Sequence, residues 1–491
     1  MSAILGRSVK ILFVSSEVAP FAKSGGLGDV SAALPRHLAA LGHDVRTVVP
    51  MYARVHTPGR TFTEVVPEIT FDLGPLRVQV SIFSSPFPGT DVPVYFVRCP
   101  SLYDRASIYG AGPDEHVRFA VLCWAALKTC QHLAFAPDIA HVNDWQASLV
   151  PLLLKTMFAW DRLFARTRSL LTIHNIGHQG TFAAGVLPET GLGDAAGLVH
   201  QDELRAGRFG FLLTGILHAS AITTVSPTYA REIQTPDHGV RLDPFLRMRT
   251  STLFGILNGI DEGEWSPEND DRIAQRYSAL DLEGKERCKA DLVASAGLPY
   301  RREVPVVGIV SRLVWQKGFD LCMAVLPALL QRRAFQLIVL GTGEPKYEEF
   351  FRALARAFPR QVAYQPTFSE NLAHRIEAGA DAFLMPSRYE PCGLNQMYSL
   401  RYGTVPIVHR TGGLADTVWP FDGVGGTGFV FEHFDETGLA WAIGRALDVW
   451  GSGTGADRER WRLLQRNGMQ LPLGWKHRVG QYVDLYRMLA A

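Results

Sequence analysis

Val304-Pro305-Val306-Val307-Gly308-Ile309-Val310 is an unbroken apolar run, and Ser311-Arg312-Leu313-Val314-Trp315-Gln316-Lys317-Gly318 follows it directly. A run of that length, bounded by a polar loop, reads as a strand buried on both faces. Residues 320–330 then have helical periodicity, and the alternation continues down the chain. Strands are expected at 335–340, 362–364, 382–385, 405–408 and 428–431, with helices at 346–358, 370–379 and 394–402. Strict alternation of this kind predicts a parallel sheet with helices on both faces, an α/β fold.

The first half opens the same way. Val9-Lys10-Ile11-Leu12-Phe13-Val14 is a strand, and Lys23-Ser24-Gly25-Gly26-Leu27-Gly28-Asp29 a glycine loop. A helix follows with Leu34, Leu38 and Leu41 on one face, Gly42 as its stop, and a strand at 45–49: a βαβ unit. Further strands are expected at 139–142 and 169–173. Residues 65–97 alternate more, are rich in Pro and Gly, and read as a β-hairpin insertion. The glycine loop has a near-repeat in Arg410-Thr411-Gly412-Gly413-Leu414-Ala415-Asp416-Thr417, again between a strand and a helix. That places two glycine turns on two separate sheets. The boundary between the halves is expected near Asn258-Gly259-Ile260-Asp261, and Ser452-Gly453-Thr454-Gly455 reads as a second flexible stretch.

At 491 residues the chain is too long for one ordinary core, which also argues for two domains. A net charge of +1 gives no reason to expect a nucleic-acid or anionic-membrane partner, so any anion must be held by local groups. No apolar stretch is long enough to span a bilayer. Arg7 and Lys10 flank the first strand, but no small-residue cleavage site follows, so no signal peptide is expected. Six scattered cysteines without a C-x-x-C pair fit reduced thiols in a cytoplasmic protein.

Several residues carry chemistry. Lys23 precedes a Gly25-Gly26 turn whose backbone N–H groups suit an anion, although a tight structural turn has the same sequence. Arg312 and Lys317 lie at the C-terminal end of a parallel strand, the edge where open α/β sheets bind ligands, and two cations suit a diphosphate; a solvated surface pair is the alternative. Glu390 precedes a helix, where it serves either a ligand or as an N-terminal cap. His174 follows a strand, a common place for a satisfied core histidine. His141, Asn143 and Asp144 lack a convincing metal-ligand pattern, and Cys392 is given no nucleophilic role.

Together these residues resemble the bacterial glycogen synthase and plant starch synthase family. Its opening pattern, Ser-Glu-x-x-Pro-x-x-Lys-x-Gly-Gly-Leu-x-Asp-Val, is matched from Ser16 to Val30. Thr172-Ile173-His174-Asn175, Leu257-Asn258-Gly259, Ser311-Arg312-Leu313 with Gln316-Lys317-Gly318, Ser387-Arg388-Tyr389-Glu390-Pro391-Cys392-Gly393-Leu394 and the Arg410–Val418 stretch also match, in order along nearly the whole chain. The resemblance implies two Rossmann-like domains facing across a cleft, the GT-B arrangement. It implies a glucan-acceptor domain at 1–258, joined by a crossover helix within 475–491, and a nucleotide-sugar domain at 259–474. The implied reaction moves glucose from ADP-glucose to the non-reducing end of an α-1,4-glucan, with retention and with no metal ion or cofactor.

By the same resemblance Glu390 and His174 are the catalytic candidates. Lys23 with Gly25 and Gly26 approaches donor and phosphates, Arg312 and Lys317 hold the diphosphate, and Thr411, Gly412 and Gly413 add backbone donors. Asp29, Asp144, Asn258, Phe368, Cys392, Gly393 and Leu394 complete the implied substrate-binding set. The chain departs from the pattern at Phe368, which keeps the stacking face of the usual Tyr near the adenine and loses its hydroxyl. Asn143 replaces the second His of His-x-His-Asp-Trp, and Asn395 and Ser399 replace Thr and Gly. Two other functions fit the same chain: a transferase using UDP-glucose or another acceptor, and a catalytically silent glucan-binding protein. Neither glycine turn reads G-x-G-x-x-G, which disfavours a nicotinamide enzyme.

Overall fold

The computed structural model describes residues 8–55, 61–110 and 112–491; Arg7 lies outside them. The chain divides into two compact units. One is Met1–Val225 with Ala230–Asn258 and Trp475–Ala491, and the other is Gly259–Gly474 with Ser226–Tyr229.

The first unit contains β1 (Lys10–Val14), β2 (Asp44–Pro50), β3 (Thr63–Leu73), β4 (Leu76–Pro86), β5 (Pro93–Arg98), β6 (Ile139–Asn143), β7 (Arg168–Ile173), β8 (Thr181–Ala183), β9 (Arg208–Gly210), β10 (Ala221–Thr224) and β11 (Leu253–Gly255). Nine of these form one sheet in the order β11-β10-β7-β6-β1-β2-β5-β4-β3. Strands β3 and β4 form the expected antiparallel hairpin. The rest of the 65–97 insertion differs from a plain hairpin: β5 pairs antiparallel with β4 but parallel with β2, so the hairpin becomes the edge of the main sheet.

The helix Gly26–Ala40 buries Leu34 and Leu38 completely. Leu41 does not continue that face; it lies past the last helical residue and is 46 % exposed. The sequence reading also missed the longest helix, Glu115–His132, because fifteen of its eighteen residues are buried and it shows little amphipathic contrast.

The C-terminal helix Val479–Ala490 belongs to this unit and packs Tyr482, Val483, Leu485 and Tyr486 against β1, β6 and Gly26–Ala40 residues such as Ile11, Ile139 and Leu34. The Tyr486 hydroxyl lies 2.7 Å from His141 Nδ1, and His141 Nε2 lies 2.6 Å from Thr172 Oγ1. Both ring nitrogens of His141 are therefore occupied by structural bonds, which rules out the weak metal alternative at that residue.

The second unit has one parallel sheet of β12 (Val306–Val310), β13 (Gln336–Leu340), β14 (Val362–Gln365), β15 (Ala382–Met385), β16 (Val405–His409) and β17 (Phe429–Phe431), in the order β14-β13-β12-β15-β16-β17. That is the doubly wound Rossmann order, with its topological switch between β12 and β15. The first unit repeats it in β5-β2-β1-β6-β7-β10, with the switch between β1 and β6. Residues 452–455 are not a loose linker. They turn between the helices Glu436–Trp450 and Gly455–Met469, and Asp457 Oδ2 accepts bonds from Ser452 N and Oγ, each 2.9 Å long.

Candidate active-site residues in the two units

In the first unit the candidates follow the C-terminal ends of parallel strands. Lys23, Gly25, Gly26 and Asp29 come after β1, Asp144 after β6, His174 after β7 and Asn258 after β11. Ligands bind at that edge of such sheets, and β1 and β6 flank the switch point.

The loop after β1 is organised by Glu17, a residue the sequence reading left out of the site. Its buried carboxylate accepts from Ser24 N at 2.5 Å, Ser24 Oγ at 2.7 Å, Gly25 N at 3.2 Å and the Tyr109 hydroxyl at 2.5 Å. The available signal was an acidic residue placed between a strand and a glycine loop. Gly25 is extended, with φ −162°, and caps the helix beginning at Gly26, so this is not a left-handed turn. A Cβ on Gly25 would meet nothing within 4 Å, leaving open space above the turn. Lys23 Nζ pairs with Asp29 Oδ1 at 2.6 Å, with both side chains partly exposed.

His174 is fixed from two sides. Its backbone N–H donates to Asp144 Oδ1 at 2.7 Å, and its Nε2 lies 2.9 Å from Asn143 Oδ1. Asn143 Nδ2 donates to the Val14 carbonyl at 3.0 Å, which fixes the orientation of the amide. Asn143 Oδ1 must then accept, so His174 Nε2 carries the proton and Nδ1 keeps a lone pair. Burial pushes the imidazole down to about 3, so the ring is neutral at pH 7. Burial also pushes the Asp144 carboxyl up to about 7, against the pull of N–H donors from His174 and Asn175. Asp144 is one of the few non-glycine residues with positive φ, 54°. Asn258 is buried, and its Oδ1 has no hydrogen-bond partner among the described residues.

The second unit collects Arg312 and Lys317 after β12, Phe368 after β14, Glu390–Leu394 after β15 and Thr411–Gly413 after β16. Lys317 Nζ lies 2.5 Å from Glu390 Oε2, and Ser387 Oγ donates to the same oxygen at 2.9 Å. Glu390 does not cap a helix: the next helix is Asn395–Arg401, and its N-cap is Leu394. The cap alternative therefore fails on geometry. Arg312 is exposed, and its guanidinium makes no hydrogen bond or ion pair among the described residues. Phe368 is 87 % exposed.

Arg388 joins the two cationic and acidic loops. Its N–H donates to Gln316 O at 2.9 Å, and its guanidinium lies between the rings of Trp315 and Phe434, 4.3 and 4.2 Å from their centroids.

The glycines at 412 and 413 have a packing role. Gly412 has φ +43°, and a Cβ there would sit 1.9 Å from Glu390 O. A Cβ on Gly413 would sit 2.0 Å from Cys392 O. The backbone N–H groups of Thr411 and Gly413 already donate to His409 O and Glu390 O. Expected as free donors, these two groups are already engaged: the Thr411 bond closes a local turn, and the Gly413 bond holds its loop to the Glu390 backbone. Cys392 is buried, and Gly393 has φ +70° over the Gln396 side chain.

Among the described residues one set of potential metal ligands converges: Glu264, Glu370 and His374, with ligand atoms within 4.8 Å of one another. His374 Nδ1 is bonded to Asp270 Oδ2 at 2.7 Å and its Nε2 faces Arg272 Nη1 at 3.2 Å, so the ring offers no free lone pair. No helix is long and apolar enough to cross a membrane among the described residues.

Residues 10–248 match the sequence profile of the starch synthase catalytic domain, and residues 296–462 that of glycosyl transferases group 1. A glycogen synthase of Anaeromyxobacter sp. (strain Fw109-5) is 46 % identical over 484 residues, 98 % of this chain and 100 % of the relative. A glycogen synthase of Thermotoga maritima is 42 % identical over 489 residues, 98 % of this chain and 99 % of the relative. The solved catalytic domain of starch synthase IV from Arabidopsis thaliana, bound to ADP and acarbose, matches with a TM-score of 0.90 at 32 % identity, covering 99 % of this chain and 100 % of that one. Sucrose-phosphate synthase from Thermosynechococcus elongatus shares the fold, with a TM-score of 0.59 at 19 % identity over 98 % of this chain and 99 % of that one.

Proposed function

The chain belongs to the glycogen synthase and starch synthase family, and from that membership we propose that it transfers glucose from ADP-glucose to the non-reducing end of an α-1,4-glucan, with retention of the α configuration. It is a glycosyltransferase with the GT-B fold. The cytoplasm is the proposed site of action, 1–258 with 475–491 the proposed acceptor domain, and 259–474 the proposed donor domain.

The observation that carries the reading is the Lys317–Glu390 pair beside unpaired Arg312, at the switch point of the second sheet. Transfer breaks the bond between the anomeric carbon and the diphosphate. Negative charge grows on the leaving group and positive charge on the sugar ring, and fixed groups aimed at those charges lower the barrier. Arg312 and Lys317 are proposed to hold the diphosphate, and Lys23 with the Gly25-Gly26 turn to approach donor and phosphates. Glu390 faces the donor sugar. Phe368 offers its exposed ring to the adenine.

His174, neutral at pH 7, cannot act as a cation or as a general acid there. With Nε2–H occupied by Asn143, its Nδ1 is the atom left to accept a bond from a sugar hydroxyl. Asp29, Asp144, Asn258, Cys392, Gly393, Leu394 and Thr411–Gly413 complete the proposed substrate-binding set, the last three residues chiefly by shaping the Glu390 loop. Side-chain cations serve the leaving group, so activity is expected to survive EDTA. The test is product analysis: incubation with ADP-glucose and maltoheptaose should lengthen the oligosaccharide by new α-1,4-linked units in the proton NMR spectrum. New β signals, or hydrolysis to free glucose alone, would refute the reading.

A further inference from the structure

A cavity of ≈ 60 Å³ in the first unit is lined by Gln179, Glu203, Arg208, Arg241, Leu213 and Phe245. None of the residues proposed to bind donor or to act in catalysis lines it. Glu203 lies between two guanidinium groups. Arg208 grips its carboxylate twice, at 2.6 and 2.8 Å, and Arg241 Nη2 lies 3.6 Å from Oε1.

The backbone that supplies Arg241 is strained. Val240 and Arg241 are consecutive non-glycine residues at φ 47° and 70°, and Val240 is β-branched. Gln179 Nε2 holds the turn by donating to Val240 O at 2.9 Å. Strain of this kind persists only where its surroundings hold it, and it gathers at ligand sites.

We propose that the solvent-open mouth of this cavity is a subsite that receives one face of a glucose unit of the α-glucan acceptor, set back from the end that is extended. The proposal rests on the glucosyl-transfer reading. A vicinal diol needs a donor and an acceptor side by side, and the guanidinium–carboxylate cluster presents N–H groups next to carboxylate lone pairs. The Phe245 ring supplies an apolar wall for the C–H face of a pyranose. An anion fits less well, because Glu203 already fills the focus of both guanidinium groups. Arg208 holds that carboxyl below its usual range, so it stays charged.

The position also suits an acceptor chain. Gln179 is five residues beyond His174, so their Cα atoms are at most about 17 Å apart. A few glucose units bridge such a span.

The test compares kcat/KM for maltose and maltoheptaose at saturating ADP-glucose, in the parent protein, Arg241→Ala and Phe245→Leu. Arg241 is 73 % exposed, so its truncation should leave the fold intact, and melting temperatures check both variants. The ratio of long-acceptor to short-acceptor kcat/KM should fall about tenfold in each variant, corresponding to ~1.4 kcal/mol. An unchanged ratio in active enzyme, or an equal loss on both acceptors, would overturn the subsite while leaving the transferase reading intact. Inorganic phosphate competing with maltoheptaose in the parent protein and not in Arg241→Ala would reassign the cavity to an anion and also overturn it. A parent protein that moves no glucose from ADP-glucose to any acceptor would remove both proposals.

Discussion

Lys317 Nζ and Glu390 Oε2 lie 2.5 Å apart, so the side chain proposed to hold the diphosphate is paired with the carboxylate proposed to face the sugar. Both side chains are largely buried, at 19 % and 7 % exposure, which keeps solvent from screening the pair. A donor diphosphate must compete with Glu390 for Lys317. Glu390→Gln keeps the shape and removes the competitor. It should lower kcat by about two decades through lost transition-state stabilisation. It should also tighten ADP binding about fivefold, since a competing pair of about 1 kcal/mol is gone. Kinetics and ADP titration calorimetry on the same variant check this; weaker ADP binding with normal kcat would remove Glu390 from the catalytic set.

Lys23 is the opposite case. Its bond to Asp29 is half in solvent, at 41 % and 31 % exposure, and such pairs add little stability. Lys23→Ala should leave the melting temperature nearly unchanged. A charge-assisted bond to phosphate is worth about 1.5–3 kcal/mol, so kcat/KM for ADP-glucose should fall one to two decades. An unaltered rate at low donor concentration would reduce Lys23 to a surface residue.

The two glycine turns, similar in sequence, should respond differently to alanine. At Gly412 the backbone is left-handed and a Cβ would run into Glu390 O, so Gly412→Ala should lower both activity and melting temperature. At Gly25 the backbone is extended and nothing lies within 4 Å, so Gly25→Ala should melt normally. If donor phosphates approach that open space, its donor KM rises all the same. Equal melting losses in both variants would contradict the geometry.

Stability should respond to pH through Asp144 and His174. Burial raises Asp144 from 3.8 to about 7, so the folded state favours its protonated form. That contribution is complete below 3.8 and is lost as pH rises through about 7. His174 is a base lowered from 6.5 to about 3, so its contribution is complete above 6.5 and is lost as pH falls towards 3. Asp144→Asn should therefore melt higher than the parent protein at pH 8 and lose that advantage at pH 4. Melting curves at the two pH values decide it, and an advantage confined to pH 4 would reverse the assignment.

The alternation of apolar strands in residues 304–431 was enough to predict the second sheet, because fully buried parallel strands are written as uninterrupted apolar runs. Other features are invisible to that pattern. Glu390 looked like a helix cap because it stands close before a helix in sequence, yet the bond from Gly413 N to its carbonyl and the Lys317 pair turn it elsewhere. The helix Glu283–Ser295 went unread since its buried face includes Lys285. That ammonium docks onto Ala378 O, Tyr402 O and Thr404 Oγ1, partners far away in sequence. Glu17 was quoted as part of a motif and not as an organiser, since its partner Tyr109 lies 92 residues away. Local periodicity reports which face is buried; it does not report which distant group satisfies a polar side chain.

Donor choice separates glucosyl transfer from ADP-glucose from the other functions that fit the chain. Parallel measurement of kcat/KM for ADP-glucose and UDP-glucose, with glycogen as acceptor, should show a clear preference for ADP-glucose, the exposed Phe368 ring stacking on adenine without need of a hydroxyl. A clear preference for UDP-glucose, or binding of glycogen with no incorporation from either donor, would contradict the account.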